Sequence, residues 1–107
     1  MKILDSLVEM VTMVHALARK VERHNRDLAS QMKRASSSAA LNGSEGIWAK
    51  AGKRRSRLED AVNSARETSM ALRLAAACGY LAMDEAETGR AKLDGIIAVL
   101  WTLTYKR

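Results

Sequence analysis

The amino-acid sequence predicts an all-α protein, an up-down-up-down four-helix bundle that forms a single domain over residues 1–107. Apolar residues recur three and four positions apart in four segments, and short connections separate these segments. The chain has no proline to interrupt a helix. It also has no Phe and only two Trp and two Tyr, so its core buries little area per residue. Self-association is therefore an expected further source of stability.

The first predicted helix runs from Lys2 to about His24. Steps of three and four define a heptad seam that consists of Leu4, Leu7, Val11, Val14, Ala18 and Val21. Four more apolar residues widen this surface: Ile3, Met10, Met13 and Leu17. A helix with this much apolar surface is expected to contact more than one neighbour, within the bundle or in another subunit.

The second predicted helix, from Asp27 to about Gly43, includes most of the unusual stretch SQMKRASSSAALNGSEG. A flexible linker and a phosphate-binding loop are the alternatives for this stretch. Helical spacing persists through it, and NGSEG lacks both a preceding strand and a following Gly-Lys-Ser/Thr, so we interpret it as a helix. Its small residues predict a nearly flat side that another helix can approach closely, and they are Ser36, Ala39, Ala40 and Gly43.

The third predicted helix runs from roughly Arg54 to Cys78, although Gly52 and the pair of Ser56 and Glu59 also resemble helix starts. Its apolar positions are Leu58, Ala61, Ala65, Thr68, Leu72 and Ala75. We expect Gly79 to adopt the left-handed conformation that ends many helices.

The fourth predicted helix begins at Asp84, with Glu87 completing a capping box. Its apolar residues are Leu93, Ile96, Ile97, Leu100 and Leu103, with Val99 and Trp101 widening the stripe. Glycine disfavours a helix interior by up to ~1 kcal/mol relative to Ala. Gly89 and Gly95 therefore indicate either a close approach by a neighbour or a weak point.

The net charge of +6 is concentrated in the middle of the chain. Residues 1–27 contain five basic and four acidic residues, residues 28–57 contain seven and one, and residues 58–107 contain six and seven. Such a local excess of cations suggests a polyanion or an acidic protein as the partner.

Two basic groups are candidate nucleic-acid-binding sites. The first forms the turn between the second and third helices and consists of Lys50, Lys53, Arg54, Arg55 and Arg57. The second lies at the end of the first helix and consists of Arg19, Lys20, Arg23 and Arg26. Several cations on one surface can neutralise phosphates, and the nearby Trp48 can stack on an unpaired base. The alternatives are a solvated helix start, cations that stabilise a helix C-terminus, and a core or interface role for Trp48.

The residue types argue against an enzyme, a metal site or a cofactor. A di-iron bundle needs a repeated Glu-x-x-His, whereas His15 follows Thr12 and His24 follows Val21. The single cysteine, Cys78, has no histidine near it in the sequence and is expected to be packed rather than nucleophilic. No apolar run approaches the ~20 residues of a membrane span. We expect a cytoplasmic protein that does not contact a membrane.

A specific resemblance lies in LASQMKRASSSAALNGSEG, which resembles the signature of the 23S rRNA intervening-sequence proteins, a four-helix-bundle family. The matching residues are Leu28, Gln31, Met32, Lys33, Arg34, Ala35, Ser38, Asn42, Glu45 and Gly46. Downstream, the matches are Ser64, Glu67, Leu72, Ala75 and Gly79-Tyr80-Leu81. The chain departs from the family pattern at Ala40-Leu41, where an Ile-Pro is usual, in IWAKAGKRRSR after the Glu-Gly, and at Ser69, where a second Glu is usual.

The resemblance implies structural roles for Gln31, Arg34, Asn42, Glu45, Gly46 and Glu67. Glu45 is expected to accept hydrogen bonds from backbone N–H groups or to pair with Arg34, and Glu67 to pair with a base on another helix. The family is similar to the accessory variability proteins of diversity-generating retroelements. This similarity implies a homopentamer that binds RNA or an RNA–DNA hybrid and assists a reverse transcriptase. The alternatives are a scaffold that grips an acidic partner and an intervening-sequence-encoded protein with no nucleic-acid role.

Overall fold

The computed structural model describes residues 2–105, which form an antiparallel four-helix bundle about 43 Å long. The helices are α1 (Lys2–Glu22), α2 (Arg26–Trp48), α3 (Ala51–Ala77) and α4 (Met83–Tyr105). Each helix packs against its neighbours in the chain, and α1 also packs against α4. The predicted fold class is confirmed.

The core face of α1 follows the predicted heptad seam at Leu7, Val14, Ala18 and Val21, which are buried, and departs from it at two positions. Ile3 and Met10 are buried, whereas Leu4 and Val11, which the seam placed at the centre, are only half-buried. A two-residue seam is the pattern of a helix with one neighbour. Because α1 packs against both α2 and α4, its buried face is centred between them.

The Ser/Ala-rich segment is helical, as predicted, but α2 continues to Trp48, five residues beyond the expected end. The Asn25 side chain caps its start by accepting a hydrogen bond from the Leu28 N–H at 2.9 Å. Ser36 and Ala39 on the flat side are completely buried. A Cβ atom at Gly43 would lie 3.0 Å from Leu7 Cδ1, so the small residues do permit the predicted close approach.

Glycines lie at the C-terminal ends of both α2 and α3. At Gly46, an added Cβ atom would lie 2.7 Å from Leu58 Cγ and 3.1 Å from the Leu58 backbone nitrogen. At the far end of α3, Gly79 has φ of +79°, and the Tyr80 N–H donates to the Ala75 carbonyl at 2.8 Å. This confirms the predicted left-handed end of α3.

The start of α4 differs from the predicted capping box. The helix begins at Met83, so Asp84 lies inside its first turn, and its side chain accepts a hydrogen bond from the Glu85 N–H. Glu85, not Glu87, reaches back and accepts from the Ala82 N–H at 3.3 Å. Glu87 instead pairs with Arg90 at 2.8 Å. The contact between Ala82 and Glu85 therefore lies two residues before the predicted box of Asp84 and Glu87.

The two glycines of α4 have different surroundings. A Cβ atom at Gly89 would lie 2.8 Å from Leu72 Cδ1, so Gly89 marks a close approach of α3. No atom lies within 4 Å of a Cβ atom built at Gly95. The sequence did not separate the two cases, because packing alone distinguishes them.

We predict opposite effects on stability for two Gly→Ala substitutions. Gly46→Ala should lower the free energy of unfolding by ~1–3 kcal/mol, because the methyl group meets Leu58 at a branched carbon and near its backbone. The matched control Gly95→Ala should raise it by up to ~1 kcal/mol, since the new methyl group has space and Ala favours the helix. Urea denaturation measures both. A neutral Gly46→Ala would show that α2 and α3 are not closely packed there.

We predict that Glu85, which joins α4 to α1, stabilises the fold at neutral pH and stops doing so in acid. A hydrogen bond from the Lys20 ammonium, and a second from the Ala82 N–H, lower the pKa of Glu85 from its ordinary value of 4.5. Because this pKa is lower in the folded than in the unfolded state, the ionised carboxylate stabilises the fold at pH values above its ordinary pKa. That stabilisation is lost as the pH falls through the folded-state pKa. Glu85→Gln should therefore be less stable than the natural chain at pH 7, and the two should converge in acid. A difference that persists unchanged at pH 2–3 would contradict this.

Candidate nucleic-acid interface

The connection between α2 and α3 consists only of Ala49 and Lys50. The reversal is tight enough that Ala51, the first residue of α3, has a positive φ of 49°. Since α3 begins there and not at Arg54, the predicted basic turn is in fact mostly the first two turns of a helix. Lys53 and Arg57, four residues apart, therefore share a helical face.

Arg54 is directed inward to the end of α2. Its Nη1 atom donates to the Ile47 carbonyl at 2.9 Å and to the Gly46 carbonyl at 3.4 Å. The last carbonyls of a helix have no partner within the helix and carry partial negative charge. The Arg54 guanidinium supplies that partner and holds the ends of α2 and α3 together.

Arg57 joins the same two helices through residues of the family signature. Its Nε atom lies 3.3 Å from the Glu45 carboxylate, and its Nη1 atom lies 3.5 Å from Asn42 Oδ1. The Asn42 amide is oriented by donating to the Ser38 carbonyl at 3.0 Å. Glu45 therefore pairs with Arg57, whereas the sequence led us to expect a pair with Arg34 or hydrogen bonds from backbone N–H groups. The reason is that α3 begins early enough to bring Arg57 beside the last turns of α2.

The remaining cations of the first group differ in their surroundings. The Arg55 guanidinium lies 5.0 Å from the centre of the Tyr105 ring and 4.0 Å from the Glu59 carboxylate. Lys50 and Lys53 are exposed, and neither forms an ion pair with any residue between 2 and 105. In this group, Lys50 and Lys53 are therefore the cations whose charge is not paired within the described residues.

Trp48 lies on the surface beside these lysines. It occupies the last turn of α2, and 74% of its area is exposed. The core role weighed for it from the sequence is wrong, because the core side of this turn is occupied by Gly46 and Ile47. This end of the bundle therefore has an exposed indole and two exposed lysines within five positions of it in the sequence.

The second basic group lies at the other end of the bundle, where α1 turns into α2. Lys20 pairs with Glu85 of α4. Arg19, Arg23 and Arg26 are exposed and, within the described chain, have no acidic partner. Because the bundle is about 43 Å long, one protomer cannot merge the two groups into a single patch.

Three residues of the family signature form no polar side-chain contact within residues 2–105. Gln31, Arg34 and Glu67 are exposed, and no side-chain hydrogen bond or ion pair connects them to another residue in the part of the chain that the structure describes. The base that Glu67 was expected to pair with is therefore not found there. The structural roles implied for these three residues stay predictions.

Sequence reasoning missed a groove between α3 and α4, which we call the arginine groove. Three adjoining depressions share linings along these helices. Their shared residues are Arg66, Arg73 and Arg90, and Trp101 lies at one end. The seven-residue spacing of Arg66 and Arg73 was the available signal, because it places both on one side of a helix.

Among residues 2–105, no three His, Cys, Asp or Glu side chains are grouped closely enough to hold a metal ion. Cys78 is exposed at the end of α3, contrary to the expected packed position, because the helix ends before it and the chain turns away. None of the four helices has both the length and the apolar character required to cross a membrane.

The family model described as 23S rRNA-intervening sequence protein matches residues 1–102. The chain belongs to the 23S rRNA-intervening sequence protein family. No curated protein matches this family member.

A solved structure has the same fold as this intervening-sequence protein. It is the crystal structure of a protein with unknown function from the S23 ribosomal protein family of Bacteroides thetaiotaomicron VPI-5482. The TM-score is 0.89 and the identity is 19%, over 97% of this chain and 99% of that chain. At this level of identity, the likeness shows the shared four-helix fold alone.

We predict that Arg54 and Lys53 differ sharply in their effect on stability. Arg54→Ala should lower the free energy of unfolding by ~1–2 kcal/mol, because it leaves the Ile47 and Gly46 carbonyls without their charged donor. Lys53→Ala should change it by less than ~0.5 kcal/mol, since this exposed side chain has no partner among the described residues. Thermal unfolding of both variants tests the assignment. Equal effects would contradict a structural role for Arg54.

Proposed function

We propose that this family member is a non-enzymatic accessory protein that binds unpaired regions of RNA or of an RNA–DNA hybrid. The contact lies at the α2–α3 end of the bundle. The observation that carries the proposal is the exposed Trp48 indole beside Lys50 and Lys53, whose charges the fold leaves unpaired among the described residues. Within residues 2–105, none of these three side chains forms a hydrogen bond or an ion pair.

The three side chains match what an unpaired nucleotide offers. Any base has a π-face that can stack on an indole, and the flanking phosphates attract the two ammonium groups. Arg54 and Arg57 support this contact without taking part in it, because they fix the end of α2 against α3. Affinity from phosphate contacts falls with salt, and base sequence is read poorly because stacking is tolerant of sequence.

The proposal extends to self-assembly and to a protein partner. A homopentamer and a reverse-transcriptase partner are supported by the family's similarity to the accessory variability proteins. Exposed apolar residues offer surface for subunit contacts, among them Val8, Leu41 and Val99. In such an assembly, Arg19, Arg23 and Arg26 form a second positive surface at the opposite end. Light scattering of the purified protein tests the assembly, and a monomer contradicts it.

We predict that single-stranded RNA quenches Trp48 fluorescence. The experiment uses Trp101→Phe, so that Trp48 is the only indole, and titrates in a 15-nucleotide oligouridylate. Trp48→Ala leaves no indole, so its binding is measured by the anisotropy of a fluorescently labelled oligouridylate. It should weaken binding by about 5- to 150-fold, because one stacked base contributes ~1–3 kcal/mol. Lys50→Glu with Lys53→Glu should weaken binding further and lower the salt slope by ~0.7 for each lost phosphate contact.

The matched control is Arg23→Glu with Arg26→Glu, which changes the net charge equally at the opposite end. This variant should keep the Trp48 quenching and most of the affinity. Equal losses in both double variants would show a general charge effect and contradict the site. Absence of any binding by the natural chain would support a family member with no nucleic-acid role.

A further inference from the structure

We propose that a hollow between α3 and the last turns of α4 is a second base-binding position, which stacks a nucleobase of the RNA strand that contacts Trp48. This inference rests on the proposed function and adds a binding site to it. The hollow has a volume of about 130 Å³ and lies at one end of the arginine groove. Trp101 and Tyr105 of α4 line one side of it, and Asn63 and Arg66 of α3 line the other. We call it the aromatic hollow.

The two aromatic rings of the hollow are accessible to a ligand. Trp101 is 49% exposed and Tyr105 is 43% exposed. Their ring centroids lie 4.4 Å apart with the planes inclined by 55°, so the rings form one continuous wall. The buried side of these turns is occupied instead by Leu100 and Thr104. Every base has a π-face, so an exposed indole can stack on a base of any identity.

Two guanidinium groups lie beside this wall. The Arg66 guanidinium is 6.0 Å from the centre of the Trp101 ring, and the Arg55 guanidinium is 5.0 Å from the centre of the Tyr105 ring. Arg66 forms no ion pair within residues 2–105. Unpaired bases stack on arginine planes as well as on aromatic rings, and the flanking phosphate attracts the charge.

An amide completes the hollow. Asn63 is exposed, and its side chain forms no hydrogen bond with another residue in the described part of the chain. An amide offers donors and an acceptor side by side, which suits the edge of a base. Glu59, the one acid in the lining, already accepts a hydrogen bond from the Tyr105 hydroxyl at 3.1 Å. The hollow therefore has a wall for the plane of a base, an amide for its edge and a cation for its phosphate.

These polar groups favour a nucleotide over a second copy of this chain. An apolar segment of another subunit would cover the Asn63 amide and the Arg66 guanidinium without giving them partners, which is costly. The local charge favours the same conclusion. Residues 50–66 contain six basic and two acidic residues, and residues 95–105 contain no charged residue. A polyanion is attracted to this surface, whereas a second chain with a net charge of +6 is repelled.

The start of α3 connects the aromatic hollow to Trp48. Arg54 donates to the carbonyl of Ile47, which precedes Trp48, whereas the next residue, Arg55, lies over the Tyr105 ring. Two steps of ~8–10 Å between neighbouring helix axes place the axes of α2 and α4 at most roughly 20 Å apart. A strand that rises ~3.4 Å per nucleotide covers this distance in about six nucleotides. One short strand can therefore contact both indoles.

The first experiment uses Trp48→Phe, in which Trp101 is the only indole, and titrates in the 15-nucleotide oligouridylate. Trp101 fluorescence should be quenched over the same concentration range as Trp48 fluorescence in Trp101→Phe, because one strand contacts both. A 15-unit ribose-phosphate strand without bases is the control ligand. It should not quench Trp101, since it has no base to stack.

The second experiment measures the anisotropy of the labelled oligouridylate. Trp101→Ala should weaken binding by about 5- to 150-fold, the loss of one stacked base. Asn63→Ala, an exposed substitution that leaves the rings in place, should weaken it by about 2- to 12-fold, the loss of one hydrogen bond. The matched control is Val99→Ala, because Val99 is 44% exposed on the same helix and does not line the hollow. This variant should bind within twofold of the natural chain.

The outcomes separate this inference from the proposed function. Quenching of Trp48 without quenching of Trp101, together with binding by Trp101→Ala and Asn63→Ala within twofold of the natural chain, would overturn the inference and leave the proposed function standing. Absence of quenching at both indoles would overturn both. Equal quenching of Trp101 by the strand without bases would overturn base stacking in the hollow. A smaller molecular mass of Trp101→Ala in light scattering would also overturn the inference, since a second copy would then occupy the hollow.

Discussion

The close approach of α2 to both of its neighbours is the constraint on which the rest of the structure depends. Between positions 36 and 46 of α2, the buried residues Ser36, Ala39, Gly43 and Gly46 have little side-chain volume. The larger residues of α1 and α3, such as Leu7 and Leu58, therefore pack directly against its backbone. A chain without Phe reaches a close-packed interior in this way, by bringing helices together instead of filling the space with large side chains.

That close approach also fixes the α2–α3 junction. With Gly46 packed against Leu58, only two residues connect the helices, and the start of α3 lies beside the end of α2. Arg54 and Arg57 are then within reach of α2 carbonyls, of Glu45 and of Asn42. The exposed ion pair contributes little by itself, but the charged donor at the helix end restricts the position of the junction. The basic segment thus divides into arginines that hold the fold and lysines that face solvent.

The bundle presents two surfaces of different chemistry. At the α2–α3 end, flexible lysines and an exposed indole suit a strand whose phosphates and bases vary in position. Along α3 and α4, arginines lie among apolar side chains and three carboxylates, which belong to Glu59, Glu87 and Asp94.

The sequence by itself determined the four helices, the helical nature of the Ser/Ala-rich segment and the left-handed end at Gly79. These features depend on residue spacing, on small side chains and on the conformational freedom of glycine, all of which are local. Only the tertiary structure decided that Arg54 serves α2, that Glu45 pairs with Arg57, that Trp48 is exposed and that Gly89 but not Gly95 is crowded. The arginine groove likewise combines residues of two helices, such as Arg66 of α3 with Trp101 of α4. Each of these depends on which atoms of another helix lie within a few ångströms, and spacing within one helix does not contain that information.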